Sequence, residues 1–243
     1  MSNIVKRSMI VVILLTAFYL PLCIMSTKIS PPYLSGNADV IAVNKKQLTG
    51  EYAAPEEYAL TTAPDLTAAI APDVTTGYIL IGDSRTVAVD YLMKANAAPD
   101  GFFILAASGQ GFDYMMDTAL PEAMMIESAY PEVSNWKYLI NMGVNDMKNI
   151  AGYKNAMTEL AYKRDLVFIS VNPVEADPIL EGLGMTNDNI REFNAEMKSI
   201  PNAEYLDLNT YLTRNGFTTF DHLHYTLDVT MMIYDKIRTA VQA

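Results

Sequence analysis

The chain has 243 residues, a net charge of −11, two histidines and one cysteine. That length suits one domain with a sizeable core plus additional segments, and the acidic balance disfavours nucleic acid or a polyanionic surface as a partner. Two histidines and a single cysteine offer no metal-ligand spacing, and no glycine loop of the phosphate- or dinucleotide-binding type is present, so neither a metal nor a cofactor is expected.

Lys6-Arg7 precede an apolar stretch over 9–25, about the minimum length for a bilayer span. The basic pair predicts an N-terminus inside and the remainder outside. No small-x-small site follows the stretch, which favours an uncleaved anchor over a cleaved signal peptide; cleavage would make the protein secreted. Leu20-Pro21-Leu22-Cys23 lacks the small residue a lipoprotein box needs before its cysteine. With Cys23 inside the apolar stretch, the exported part has no cysteine and forms no intramolecular disulfide, as suits a bacterial surface protein. Residues 26–76 are rich in Ala, Thr and Pro, as in Ala53-Ala54-Pro55 and Thr61-Thr62-Ala63-Pro64, and read as an extended linker. Tyr52, Tyr58 and Leu60 are anchors if part of it packs on the domain. The division expected is an anchor over 1–25, a linker over 26–76 and a domain over 77–243.

Within the domain, strands are expected over 78–81, 102–105, 138–142, 166–171 and 204–208, and helices over 85–93, 113–120, 149–162, 187–199 and 227–241. Short apolar strands alternating with helices argue for a parallel sheet covered on both faces. The methionine pairs 115–116, 124–125 and 231–232 read as core fillers more readily than as an acyl pocket. Trp136 and the tyrosines are candidates for stacking on sugars.

Four short segments carry possible chemistry. Gly82-Asp83-Ser84 stands between a strand and a helix, at the carboxyl edge where open parallel sheets bind ligands. Ser84 there serves equally well as a helix cap or as a nucleophile beside free amides. Ser108-Gly109-Gln110-Gly111 follows the second strand, and its glycines allow a close backbone approach. Gly143-Val144-Asn145-Asp146 follows the third, where an asparagine amide can face an oxyanion or simply close a turn. Asp221-His222-Leu223-His224 holds both histidines, the usual general bases at neutral pH. A carboxylate three residues before a histidine can reach its Nδ1.

In this order the four segments resemble the SGNH/GDSL hydrolase family, over residues 77–242. The resemblance implies an α/β fold, a flavodoxin-like three-layer α/β/α sandwich with a five-stranded parallel sheet. It implies Ser84 as nucleophile, His224 as base and Asp221 as its orienting carboxylate, with His222 a spacer at the rim. The oxyanion hole would use the Ser84 amide, the Gly109 amide and the Asn145 side chain, with Gly111 as the alternative glycine. Arg85 stands where the family's name motif has leucine; it is a candidate anion-binding residue, with an ion pair to an acid such as Asp113 favoured. Asn172 ends the fourth strand on the same edge and is a candidate pocket residue. The activity implied is a membrane-anchored extracytoplasmic serine esterase acting on small acyl esters, such as O-acetyl groups of cell-surface glycans. The alternatives are O-acyl transfer to such a glycan and a non-catalytic glycan-binding module. Nothing in the sequence sets an oligomeric state.

Overall fold

The computed structural model describes residues 61, 62, 64, 66–93 and 98–242, all within one compact unit, Gly36–Ala243. The apolar stretch 9–25 and residues 26–60 of the expected linker lie outside the described residues. No helix among the described residues is long and apolar enough to cross a membrane.

Five strands form one parallel sheet: β1 Thr76–Gly82, β2 Phe102–Ala106, β3 Asn135–Asn141, β4 Asp165–Ile169 and β5 Glu204–Leu206, in the order β2-β1-β3-β4-β5. Alternation along each strand sends side chains to two separate cores. Ile79, Ile81, Phe103, Leu105, Ile140 and Phe168 enter one; Leu80, Phe102, Ile104, Leu139, Val167 and Ile169 enter the other.

The strand order explains which helix covers which face. The step from β1 to β2 runs one way across the sheet, and its helix, α1 Ser84–Met93, places Val87 and Val89 in the second core. Every later step runs the other way. A right-handed crossover reversed in direction puts its helix on the opposite face. Accordingly α2 Phe112–Tyr114, α3 Leu120–Ala129, α4 Ile150–Ala161 and α6 Asn187–Lys198 feed the first core. The short α5 Pro178–Gly182 precedes α6; α7 Leu208–Asn215 and α8 Leu227–Gln242 return to the face of α1. The result is a three-layer sandwich.

Several expectations change. The helix expected over 113–120 continues to Ala129 through a π turn, Met115–Ala119. Pro121 falls in the first turn of α3, where proline's missing N–H is tolerated. The expected last strand ends at Leu206, because Asp207 caps α7 by accepting from Thr210 N at 3.0 Å. The linker packs on the domain before Thr76. Ile70 is 7% exposed within the core, and Thr61 bridges Ala107 beside edge strand β2. Thr62 N donates to Ala106 O at 2.9 Å, shielding that edge. The methionine reading holds for Met115, which is buried, but Met124, Met125 and Met231 are exposed. Trp136 lies at the amino end of β3, over Gly77 and 6.0 Å from the Phe103 ring, on the edge of the sheet away from Ser84.

Gly143 follows β3 with φ +129, and a Cβ there would lie 2.6 Å from the Phe193 ring of α6. Gly143→Ala is expected to destabilise the fold by about 2–4 kcal/mol through strained backbone and overpacking. A urea unfolding midpoint unchanged from wild type would contradict this.

Candidate active site

The parallel register sets the site. Gly82 pairs with Ala106 on one side and Asn141 on the other, so β1, β2 and β3 end level. Their following loops, together with the loop after β4 and the segment before α8, meet at one edge.

Ser84 begins α1 at that edge and is fully buried. Its Oγ lies 2.9 Å from His224 Nε2, and His224 Nδ1 lies 2.6 Å from Asp221 Oδ2. The other oxygen, Oδ1, accepts from Leu223 N at 3.0 Å and His224 N at 2.6 Å. This tight turn depends on His222, which adopts a left-handed φ of +69 and so lets residues 221 and 224 face one another. The His222 ring is itself half-exposed, 3.4 Å from Glu175 Oε2. Phe220 stacks on the His224 ring at 5.8 Å.

Burial raises the Asp221 carboxyl, but the His224 ring bond, the His224 charge and two backbone amides outweigh it and hold the group below the usual carboxylate range. The ionised Asp221 can only accept, so Nδ1 of His224 carries a proton. In the neutral ring Nε2 is then an acceptor facing the Ser84 hydroxyl.

In the loop after β3, Asn145 Nδ2 donates to Gln110 O at 2.7 Å. This uses one amide hydrogen, fixes the side chain and leaves the second hydrogen for a ligand. The two candidate glycines have different surroundings. Gly109 turns the loop at φ +72. Gly111 packs against Asp146, where a Cβ would lie 2.4 Å from the carboxylate. Asp146 Oδ2 accepts from Phe112 N at 2.7 Å, and Oδ1 accepts from the Tyr153 hydroxyl at 2.8 Å. Burial raises the Asp146 carboxyl above its ordinary range despite these donors. Asp146 thus laces the loops after β2 and β3 to each other and to α4.

Arg85 is not presented to solvent. It is 4% exposed, and its guanidinium pairs with Asp83 at 3.4 Å rather than with Asp113. Nη1 donates to Asn172 O at 3.2 Å. Its side chain therefore ties the nucleophile's turn to the loop after β4. Asn172 is 1% exposed, with both side-chain amide atoms unpartnered among the described residues. Its backbone is pinned on both flanks. Asn194 bonds both N and O of Val171, Asn209 donates to Val171 O, and Asn187 bonds both N and O of Val174. Tyr225 donates to Pro173 O. Sequence reading missed this asparagine set, the Asp83–Arg85 pair, and the roles of Gln110, Asp146 and Tyr153. Only the adjacency of Asp83 to Arg85 leaves a trace in sequence. Among the described residues no cluster of His, Cys, Asp or Glu could hold a metal ion.

Comparison with solved structures places the architecture. A protein assigned as an SGNH hydrolase from Slackia heliotrinireducens superposes with TM-score 0.53 at 15% identity, over 68% of this chain and 97% of that one. A Bacteroides fragilis protein assigned as an acylhydrolase superposes with TM-score 0.51 at 16% identity, over 79% of this chain and 97% of that one. This is the SGNH hydrolase fold. The catalytic domain of peptidoglycan O-acetyltransferase A from Streptococcus pneumoniae is 22% identical, with TM-score 0.49, over 70% of this chain and 94% of that one. No protein-family model and no curated protein matches the sequence. In this SGNH fold the loops after β2 and β3 are cross-laced as described, which ties Asn145 and Asp146 to the loop after β2.

A lowered folded pKa contributes stability that is complete above the unfolded carboxylate value of about 3.9 and is lost as pH falls through the folded value. Wild-type protein is therefore expected to lose stability below about pH 4 more steeply than Asp221→Asn. Urea midpoints measured against pH check this, and equal slopes would contradict it.

Proposed function

We propose that the protein is a serine esterase that hydrolyses small acyl esters, with acetyl the preferred group, on a cell-surface glycan. The observation that carries the reading is the unbroken line from Asp221 through His224 to Ser84, with contacts of 2.6 and 2.9 Å in a buried setting. A serine that merely capped a helix would not require a carboxylate-oriented histidine at its hydroxyl.

In the proposed reaction, Ser84 Oγ attacks the ester carbonyl carbon while its proton passes to His224 Nε2. The carbonyl oxygen becomes an oxyanion held by the Ser84 and Gly109 amides and the free hydrogen of Asn145 Nδ2. Collapse breaks the bond to the alcohol oxygen, which leaves with the proton from His224. Water then attacks the acyl-Ser84 carbonyl, giving its proton to His224, and the acid departs as Ser84 regains a proton. Asp221 stays ionised throughout and stabilises the imidazolium. Gly109 is the preferred glycine because Gly111 is committed to the packing against Asp146. Arg85 and Asn172 support the site from behind the nucleophile.

The apolar stretch 9–25 after Lys6-Arg7 supports a single-pass anchor with the domain outside, and the linker after it supports a substrate at the cell surface.

Ser84→Ala and His224→Ala are each expected to lower kcat for p-nitrophenyl acetate by about 10⁴-fold or more, and Ser84→Ala to abolish fluorophosphonate labelling. Asn145→Ala is expected to cost about 10²–10³-fold, and His222→Ala to keep most activity. Wild-type protein that is neither labelled nor active would contradict the proposal and favour a binding module.

A further inference from the structure

A cleft of about 570 Å³ opens beside the proposed oxyanion hole. It begins at Val144 and Asn145 and runs between the turn Met147–Asn149 and the start of α6. Asn145 belongs to both places. Asn145 lines the cleft; its Nδ2 is oriented by Gln110, and its Oδ1 is buried with no partner among the described residues.

The groups facing the cleft are of mixed character: Val144, Met147, Ile150 and Leu183 supply apolar surface between polar walls. Lys148 and Asn149 stand on one wall, and Asn189 and Glu192 on the other. Among the described residues neither Lys148 nor Glu192 has an ion-pair partner, although both are exposed. Asp146 also lines the cleft, but its carboxylate is taken up by Phe112 N and Tyr153. The walls are pre-formed: Asn189 Nδ2 donates to Gly184 O at 2.8 Å, and Thr186 caps α6 through Asn189 N at 3.2 Å.

These features select a ligand class. An acyl chain would match only the apolar residues and would leave the ammonium, the carboxylate and the amides of both walls unused, while a saccharide offers apolar C–H faces as well as hydroxyls. An anionic ligand would meet Glu192, and a cationic one Lys148. A group bearing many hydroxyls satisfies all of them, because each hydroxyl both donates and accepts. The volume falls in the usual range for small-molecule sites and far exceeds that of an acetyl group. We propose that this cleft is a saccharide subsite, holding the alcohol part of the ester while its acyl carbonyl sits at Ser84. The inference rests on the esterase reading above and extends it by assigning the saccharide part of the substrate to this cleft.

The test uses two kinds of ester on the same proteins: p-nitrophenyl acetate, which has no saccharide, and O-acetylated xylotetraose and chitotetraose, read by acetate release. The variants are Lys148→Ala, Glu192→Ala and the cleft-filling Glu192→Trp. Loss of a hydrogen bond to a charged group predicts a KM about tenfold higher for the preferred oligosaccharide ester with either alanine variant. The tryptophan variant is expected to lose most turnover of that ester, with p-nitrophenyl acetate turnover unchanged in all three. That second activity also shows that each variant is folded. Unchanged KM for the saccharide esters would overturn the subsite, as would a parallel loss on both kinds of ester, or wild-type protein that cleaves p-nitrophenyl acetate but neither saccharide ester. A wild type inactive on every ester would instead defeat the esterase reading itself.

Discussion

Everything at the site depends on the level ending of adjacent parallel strands. With Gly82 opposite both Ala106 and Asn141, the turns after β1, β2 and β3 emerge at one height. A slip of one residue in β1 would exchange the two cores, because Ile79 and Ile81 face one and Leu80 the other. The same packing that stabilises the sandwich therefore fixes where Ser84, Gly109 and Asn145 can stand. The site lies at the edge where strand order reverses, between β1 and β3, the usual binding crevice of such sheets.

Packing alone does not hold the loops. They are fixed by polar links that are mostly buried and span long sequence separations. Asp146 joins the loops after β2 and β3, Arg85 joins the turn after β1 to the loop after β4, and three asparagines clasp that last loop. Such groups are costly to bury unless paired, so the pairing restricts each loop to one arrangement. The contrast with the unpartnered atoms is informative. Ser108 Oγ, Gln110 Nε2, Asn145 Oδ1 and both amide atoms of Asn172 all belong to loops at this edge and are buried without partners among the described residues. Most of the unpartnered buried polar atoms among the described residues thus lie at this edge; Arg238 Nη1, on α8 near Asp100, lies elsewhere.

The strands and most helices were legible in sequence because their signals are local: apolar runs of strand length, the Thr186 cap before α6, the acidic Asp228 in the first turn of α8, and glycines at turns. The boundaries that shifted did so through local interactions, the first-turn place of Pro121 and the cap made by Asp207. The four site segments were legible as an ordered set, and the structure brings Ser84, Asp221 and His224 within hydrogen-bonding reach while leaving His222 at the rim. The partner of Arg85 was not legible. A charged side chain can reach any acid the fold brings near, and Asp83 lies closer than Asp113 only once the turn is built. The asparagine clasps were hidden for the same reason: side chains from α6 and α7 bond the backbone of a distant loop, which leaves no spacing to read. The exposed methionines 124, 125 and 231 show the converse, since composition implies burial that the helix face does not provide.

The central claim is that an acyl group passes through Ser84. The most direct measurement is an acid quench during turnover of an acetyl ester, followed by peptide mass spectrometry of the protein. The account predicts an acetyl group on the peptide containing Ser84, appearing with substrate and disappearing once substrate is consumed. Turnover with no acyl group on Ser84, or with one carried by a different residue, would contradict it.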